Sequence, residues 1–206
     1  MFIQSMKTTK WPTEDTKMKK IGVLALQGAF REHIAIIDQL GHESIEVKSV
    51  DQLSLLDGLI LPGGESTAMG KLLDDFDMKD SLIRHIENGL PTWGTCAGMI
   101  LLANRIEDAG HSHLNIMDIT VKRNAYGRQL DSFSTTGYIS KVSAGPLPLV
   151  FIRAPLVTQV GPSVQILHTV NDEIVAVREN HILATSFHPE LTTNHRFHEY
   201  FIDMIQ

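Results

Sequence analysis

A chain of 206 residues with 43% hydrophobic and 20% charged residues has the length and composition of one globular domain, not of a disordered or multidomain chain. Its formal net charge of −6, with no Lys/Arg run longer than two, excludes the basic footprint of a nucleic-acid binder. The lone cysteine, Cys96, excludes an intrachain disulfide. With no apolar run near the ~20 residues that span a bilayer and no signal-peptide core, a soluble cytoplasmic protein is expected.

Residues 1–17 show no amphipathic period, and Met18-Lys19-Lys20 stands immediately before an apolar run. We expect a native start at Met18, with 1–17 an added or flexible leader and 18–206 one domain. Ile21 to Leu26 is a continuous apolar run of the kind a buried parallel strand requires. Phe30, Ile34, Ile37 and Leu40 recur three or four residues apart, which predicts a helix over about 29–40 that Gly41 ends. Ser44 to Val47 and Leu59 to Leu61 read as strands. The second runs into Pro62-Gly63-Gly64, after which a helix starts with Ser66 as its cap. A helix over 80–87, a short strand over 91–94 and an apolar helix over 99–103 follow. This βαβαβα order predicts a parallel sheet with helices on both faces.

The second half reads differently. Strands are expected over 116–121, 137–142, 149–152, 164–168, 174–177 and 182–187, with few helices between them. They suit antiparallel additions to the same sheet. Phe197, Phe201 and Ile205 share one face of a closing helix over 194–205. The fold class is therefore α/β: a single-domain three-layer sandwich around a mostly parallel sheet.

Gly94-Thr95-Cys96-Ala97-Gly98 has the form Gly-x-Cys-x-Gly between a strand and a helix. That is the cysteine version of the nucleophile elbow, a tight turn whose flanking positions must be small. It places Cys96 at a helix N-terminus, where the dipole favours a thiolate. A thiolate nucleophile needs a base, and the base needs an orienter. Ser186-Phe187-His188-Pro189-Glu190 supplies both, with His188 as base and Glu190 fixing its tautomer and orientation. The other nine histidines, His33 and His198 among them, are read as ordinary surface or core residues. The pair His111 and His113 lacks a Cys or acidic partner, so no metal site is expected. Donors for a developing oxyanion are the backbone N–H groups of Ala97 and of Gly64, in a loop whose glycines let the backbone come close.

These residues together resemble the class I glutamine amidotransferases, a flavodoxin-like fold. Within that class the chain is similar to the glutaminase subunits of pyridoxal 5′-phosphate synthase. The similarity is carried by Val23 to Ala29 with Arg31-Glu32-His33, by Leu61 to Thr67, by Gly94 to Gly98, by Arg123-Asn124 with Gly127 to Phe133, by Phe151 to Pro155 and by Ser186 to Thr192. It runs from Met18 to the C-terminus. The resemblance implies hydrolysis of L-glutamine through a thioester on Cys96, with no cofactor. It also implies delivery of the ammonia to a separate pyridoxal 5′-phosphate synthase subunit. Gly64, Glu65 and Ser66 are then expected to contact glutamine, and Arg123, Ile152 and Arg153 to complete the pocket. An arginine there could pair bidentately with the amino-acid carboxylate. Gln27 resembles a family residue near the oxyanion site that responds to the partner. Residues 134–149 fit the family pattern poorly and are expected to form a variable surface turn. The alternatives are a glutaminase subunit of another amidotransferase and a non-catalytic binding module on the same fold.

Overall fold

The computed structural model describes residues 17–107, 109–125 and 132–206. Residues 1–16 of the expected leader and Gly127 to Asp131 of the family stretch lie outside the described residues.

The first half builds a parallel sheet. Strands β1 (Lys20–Leu24), β2 (Glu43–Val47), β3 (Gly58–Leu61) and β4 (Thr92–Thr95) alternate with α1 (Phe30–Gln39), α2 (Ser66–Asp75), α3 (Lys79–Glu87) and α4 (Ala97–Leu102). A 3₁₀ turn over Val50–Leu55 joins β2 to β3. The second half adds β5 (Ala103–Ile106), β6 (Met117–Lys122), β7 (Ser132–Gly137), β8 (Leu147–Ile152), β9 (Leu156–Val160), β10 (Gln165–Val170), β11 (Glu173–Glu179), β12 (Ile182–Thr185) and α5 (Arg196–Asp203).

Strand order in the main sheet is β2-β1-β3-β4-β12-β11-β9-β6-β5, with β10 paired to β11. Its first five strands pair in parallel. That is the flavodoxin-like order, in which the loops at the carboxyl ends of β1 and β3 part to make a ligand crevice. The expected antiparallel additions are present: β11 against β12, β9 against β11 and β6, and β10 against β11.

The core lies on both faces of this sheet, completing three layers. Successive strand residues point to opposite faces. Leu24, Leu59 and Leu61 join Met69, Leu73, Leu82 and Leu101 of α2 to α4 on one side. Ile21, Val23, Ile60 and Trp93 join Ile37 of α1 and Phe197 and Phe201 of α5 on the other. Strands that are buried on both faces cannot show polar alternation, which is why β1 reads as an unbroken apolar run.

Several elements depart from expectation. Ser66 does not cap α2; the extended Glu65 occupies that position and Ser66 is the first helical residue, buried. The expected strand over 137–142 is absent. Gly137 ends β7, and Val142 and Ser143 donate back to the Ile139 carbonyl in a turn. Residues 134–149 are more than a surface turn: β7 and β8 form a two-stranded antiparallel ribbon. That ribbon buries Leu147, Leu149 and Phe151 against the α1/α5 face. Strands β5, β7 and β9 were not expected.

Candidate active site

Three loops meet at the carboxyl ends of adjacent parallel strands. The β4–α4 turn carries Cys96, the β3–α2 loop carries Gly63 to Glu65, and the segment after β12 carries His188 and Glu190. Pairing of Thr185 with Thr95, and of Leu61 with Gly94, fixes the three loops relative to each other.

The elbow geometry is explicit. Cys96 has φ 48° and ψ −102°, a strained conformation for a non-glycine residue. Its flanking glycines are required by close approach. A Cβ on Gly98 would sit 2.0 Å from the Leu61 carbonyl oxygen, and one on Gly94 would sit 2.5 Å from the Gly98 backbone. The tight turn thus presses α4 directly on β3.

The three residues read as nucleophile, base and orienter are brought together. Glu190 Oε1 lies 2.7 Å from His188 Nδ1, and both side chains are almost fully buried. Cys96 and His188 stand side by side in the same lining, where a Cβ on Gly63 would meet the His188 ring at 2.4 Å and the Cys96 Cβ at 3.5 Å. The Cys96 sulfur lies 3.8 Å from the Ile152 carbonyl oxygen. Burial by itself lowers the His188 pKa. Hydrogen bonds to Cys96 and Glu190, and the charges there, outweigh burial and raise it from 6.5 to about 10. The imidazole is therefore held protonated at neutral pH, as a proton donor beside sulfur must be.

Beside the sulfur opens a cleft of about 310 Å³. Gln27, Gly64, Glu65, Ser66, Arg123, Ile152 and Arg153 all line it, with Cys96 and His188 at its base. Ala97 and Glu190 stand behind this lining, Ala97 next to Cys96 and Glu190 behind His188. Gln27 straps the cleft wall: its Oε1 accepts from the Glu65 N–H at 2.8 Å. Gly28 (φ 99°) lets Ala29 N–H reach the Gly63 carbonyl at 3.0 Å, where a Cβ on Gly28 would collide at 1.9 Å. Arg153 (φ 43°), also in the lining, sets its guanidinium 3.6 Å from Glu65, an exposed pair. Arg123 donates to Thr67 Oγ1 at 3.3 Å. Among the described residues the cleft therefore offers two arginines, a carboxylate and backbone N–H groups. That is a chemistry suited to a small zwitterion with an amide end.

Two residues near the site were read from the sequence as ordinary. His33, on the inner face of α1, is fully buried, and its Nε2 lies 3.5 Å from Glu190 Oε2. His198 on α5 is buried behind it, with its Nε2 2.9 Å from His33 Nδ1. The available signal was that His33 falls on the buried side of a helix adjoining the Gln27 loop. Thr67, Asn124 and Leu191 also line the cleft without having been singled out.

Relatives carry the same chain plan. The SNO glutamine amidotransferase family matches residues 23–206. The chain is 52% identical over 189 residues to pyridoxal 5′-phosphate synthase subunit PdxT of Ruminiclostridium cellulolyticum, covering 91% of this chain and 100% of that one. It is 54% identical over 187 residues to the same subunit of Clostridium botulinum, covering 90% and 97%. A crystal structure of a glutamine amidotransferase superposes with a TM-score of 0.86 at 42% identity, over 90% of this chain and 98% of that one. A glutamine amidotransferase from Thermotoga maritima, 12% identical with a TM-score of 0.59 over 91% and 84%, shares the fold. With a match from Val23 to the C-terminus and relatives above half identity, the chain belongs to the SNO glutamine amidotransferase family.

Proposed function

We propose that this chain hydrolyses L-glutamine to L-glutamate and ammonia, and supplies that ammonia to a pyridoxal 5′-phosphate synthase subunit. The observation that carries the reading is the strained Cys96 beside a buried His188 that is hydrogen-bonded to Glu190 and lines the same polar cleft. The relatives named as synthase subunits support the pathway.

In the proposed reaction Cys96 Sγ attacks the side-chain amide carbon of glutamine. The oxyanion that forms is held by the N–H groups of Ala97 and Gly64, neither of which has a protein acceptor among the described residues. His188 gives its proton to the amide nitrogen, the C–N bond breaks and ammonia leaves. A γ-glutamyl thioester remains. Water then attacks it, His188 takes the proton, and glutamate and the free thiol are released. Glu190 keeps the His188 ring in the one orientation that serves both steps. Arg123 or Arg153 pairs with the substrate carboxylate, and Glu65 and Ser66 contact the amino-acid end. Gln27, bonded to the Glu65 N–H, links the oxyanion loop to the surface where a partner would dock. Among the described residues no helix is long and apolar enough to cross a membrane, and we place the activity in the cytoplasm.

The test is glutamate release from glutamine with and without the cognate synthase subunit, beside a Cys96→Ala control. Release that rises with the partner and vanishes in the control is expected. A folded protein that releases none in either condition would refute the proposal.

A further inference from the structure

Behind the triad lies a second line of buried polar groups that the reaction above does not use. Glu190 is 6% exposed and Oε1 is taken by His188, but Oε2 has no hydrogen-bond partner among the described residues. A buried carboxylate oxygen without a donor is costly, so a donor is expected to face it. The group that does is His33 Nε2, at 3.5 Å. Thr95 Oγ1 lies 3.4 Å from the same nitrogen. Further back, His33 Nδ1 faces His198 Nε2 at 2.9 Å, and His198 Nδ1 is buried without a partner among the described residues.

One proton arrangement satisfies this set. Burial holds His33 well below its usual pKa, with the nearby His198 and His188 adding to the effect, and burial brings His198 down to about 3. Both rings are neutral, so each carries one N–H. With the His33 proton on Nδ1, its bare Nε2 would face the carboxylate, and His198 would have to bury an unpaired N–H. With the His33 proton on Nε2, the N–H points at Glu190 and Thr95, and His198 Nε2–H fills Nδ1. Only a bare nitrogen is then left without a partner. An unmade bond to a buried N–H or to a carboxylate costs more than an idle lone pair. Between the two acceptors the charged one is favoured, because charge-assisted bonds are roughly twice as strong as neutral ones.

We propose that His33 is a positioning residue for the hydrolytic site: its Nε2–H donates to Glu190 Oε2 and fixes the carboxylate that orients His188, while His198 braces His33 from α5. The inference rests on the function proposed above. The 3.5 Å separation exceeds a finished N–H···O bond of about 2.7–3.2 Å. A small turn of the carboxylate about its soft terminal torsion closes it. The triad thereby acquires a fourth member on α1, the helix that directly follows the Gln27 loop.

The experiment compares wild type, His33→Phe and His33→Gln as full chains with the cognate synthase subunit. Glutamate release is followed, together with the pH profile of Cys96 alkylation by iodoacetamide. Removing such an outer partner elsewhere costs about 10–100-fold, so His33→Phe is expected to lose about that much kcat with KM within about twofold. Its alkylation profile moves toward that of Glu190→Gln. His33→Gln sets an amide N–H where Nε2–H stood and recovers most of kcat. A folded His33→Phe with wild-type kcat and profile overturns the inference. So does a loss of kcat with an unmoved alkylation profile and no recovery by His33→Gln. If His33→Phe does not fold, His33→Asn, whose amide sits at the Nδ1 position, replaces it; Asn performing as well as Gln overturns the inference. A wild-type protein that releases no glutamate removes the proposed function and this inference with it. An active wild type matched by His33→Phe removes only the inference.

Discussion

Replacing Gly98 by alanine perturbs the elbow without touching a reactive group. Alanine gains about 1 kcal/mol over glycine in a helix interior, which by itself would stabilise α4. Against this, the new Cβ would stand 2.0 Å from the Leu61 carbonyl oxygen, 2.8 Å from its carbon and 3.0 Å from its Cβ. The oxygen is backbone in the middle of the sheet and cannot swing away, so α4 must lift by about 1.4 Å to reach ordinary contact. Overpacking of this kind costs about 1–3 kcal/mol. The net change is therefore about 0–2 kcal/mol of destabilisation, a fall in melting temperature of up to about 8 °C at this chain length. The catalytic effect is larger. Cys96 is the N-cap of the same helix, and misplacement by about 1 Å can cost about 10²-fold in rate. Thermal unfolding and glutamate release are measured for Gly98→Ala beside Gly110→Ala, whose Cβ would meet nothing within 4 Å. A Gly98→Ala protein with wild-type melting and turnover would show that α4 does not press on β3 as described, and the steric account of the elbow would fall.

Glu190→Gln replaces the charged acceptor on His188 Nδ1 with a neutral amide that can also present N–H and favour the wrong tautomer; kcat is expected to drop about 10³–10⁴-fold, by analogy with loss of a triad carboxylate, and a drop under tenfold in a steady-state assay would refute the orienting role. His198 is held at about 3 in the fold against about 6.5 when unfolded. The unfolded chain thus binds the extra proton, and stability falls as pH drops through 6.5. Urea titrations should give about 2 kcal/mol less at pH 5 than at pH 7.5 from this residue, and His198→Phe should lessen that difference. His188 has the opposite sign. Its folded pKa is raised to about 10, so its contribution is full below about 6.5 and fades as pH climbs toward 10; His188→Asn should flatten the alkaline limb of the same titrations. Arg153→Ala breaks an exposed pair with Glu65. It should change stability by less than about 1 kcal/mol while raising KM for glutamine, whereas an unchanged KM would remove Arg153 from the substrate pocket.

The parallel half of the fold was legible because its strands are buried on both faces. Lys20–Leu24 and Gly58–Leu61 could hardly be anything else. Cys96, His188 and Glu190 were legible because the chemistry demands those types at turns that follow apolar strands. The misses have physical causes. Ala103–Ile106 continues an apolar helical run, and only its pairing with Met117–Lys122 turns it into a strand. Tyr138, Ile139 and Val142 have the composition of a strand, yet Tyr138 is 73% exposed and the chain bends at Ile139. His33 looked ordinary because its partners, Glu190 and His198, lie far away in sequence and meet it only where α1 packs against the segment after β12 and against α5.

The placement of β4 between β3 and β12 has a consequence for biosynthesis. Chains emerge N-terminus first, so β4 and the Cys96 turn that follows it leave the ribosome long before Ile182–Thr185 exists to pair with that strand. Until then one edge of β4 is bare and the thiol has neither base nor orienter. The nascent polypeptide is thus chemically silent by construction of its topology, and reactivity switches on only when the last strand docks. The same interval is the hazardous one. A polypeptide truncated before β12 would be inert and would also present an open, apolar sheet edge, the form that invites aggregation.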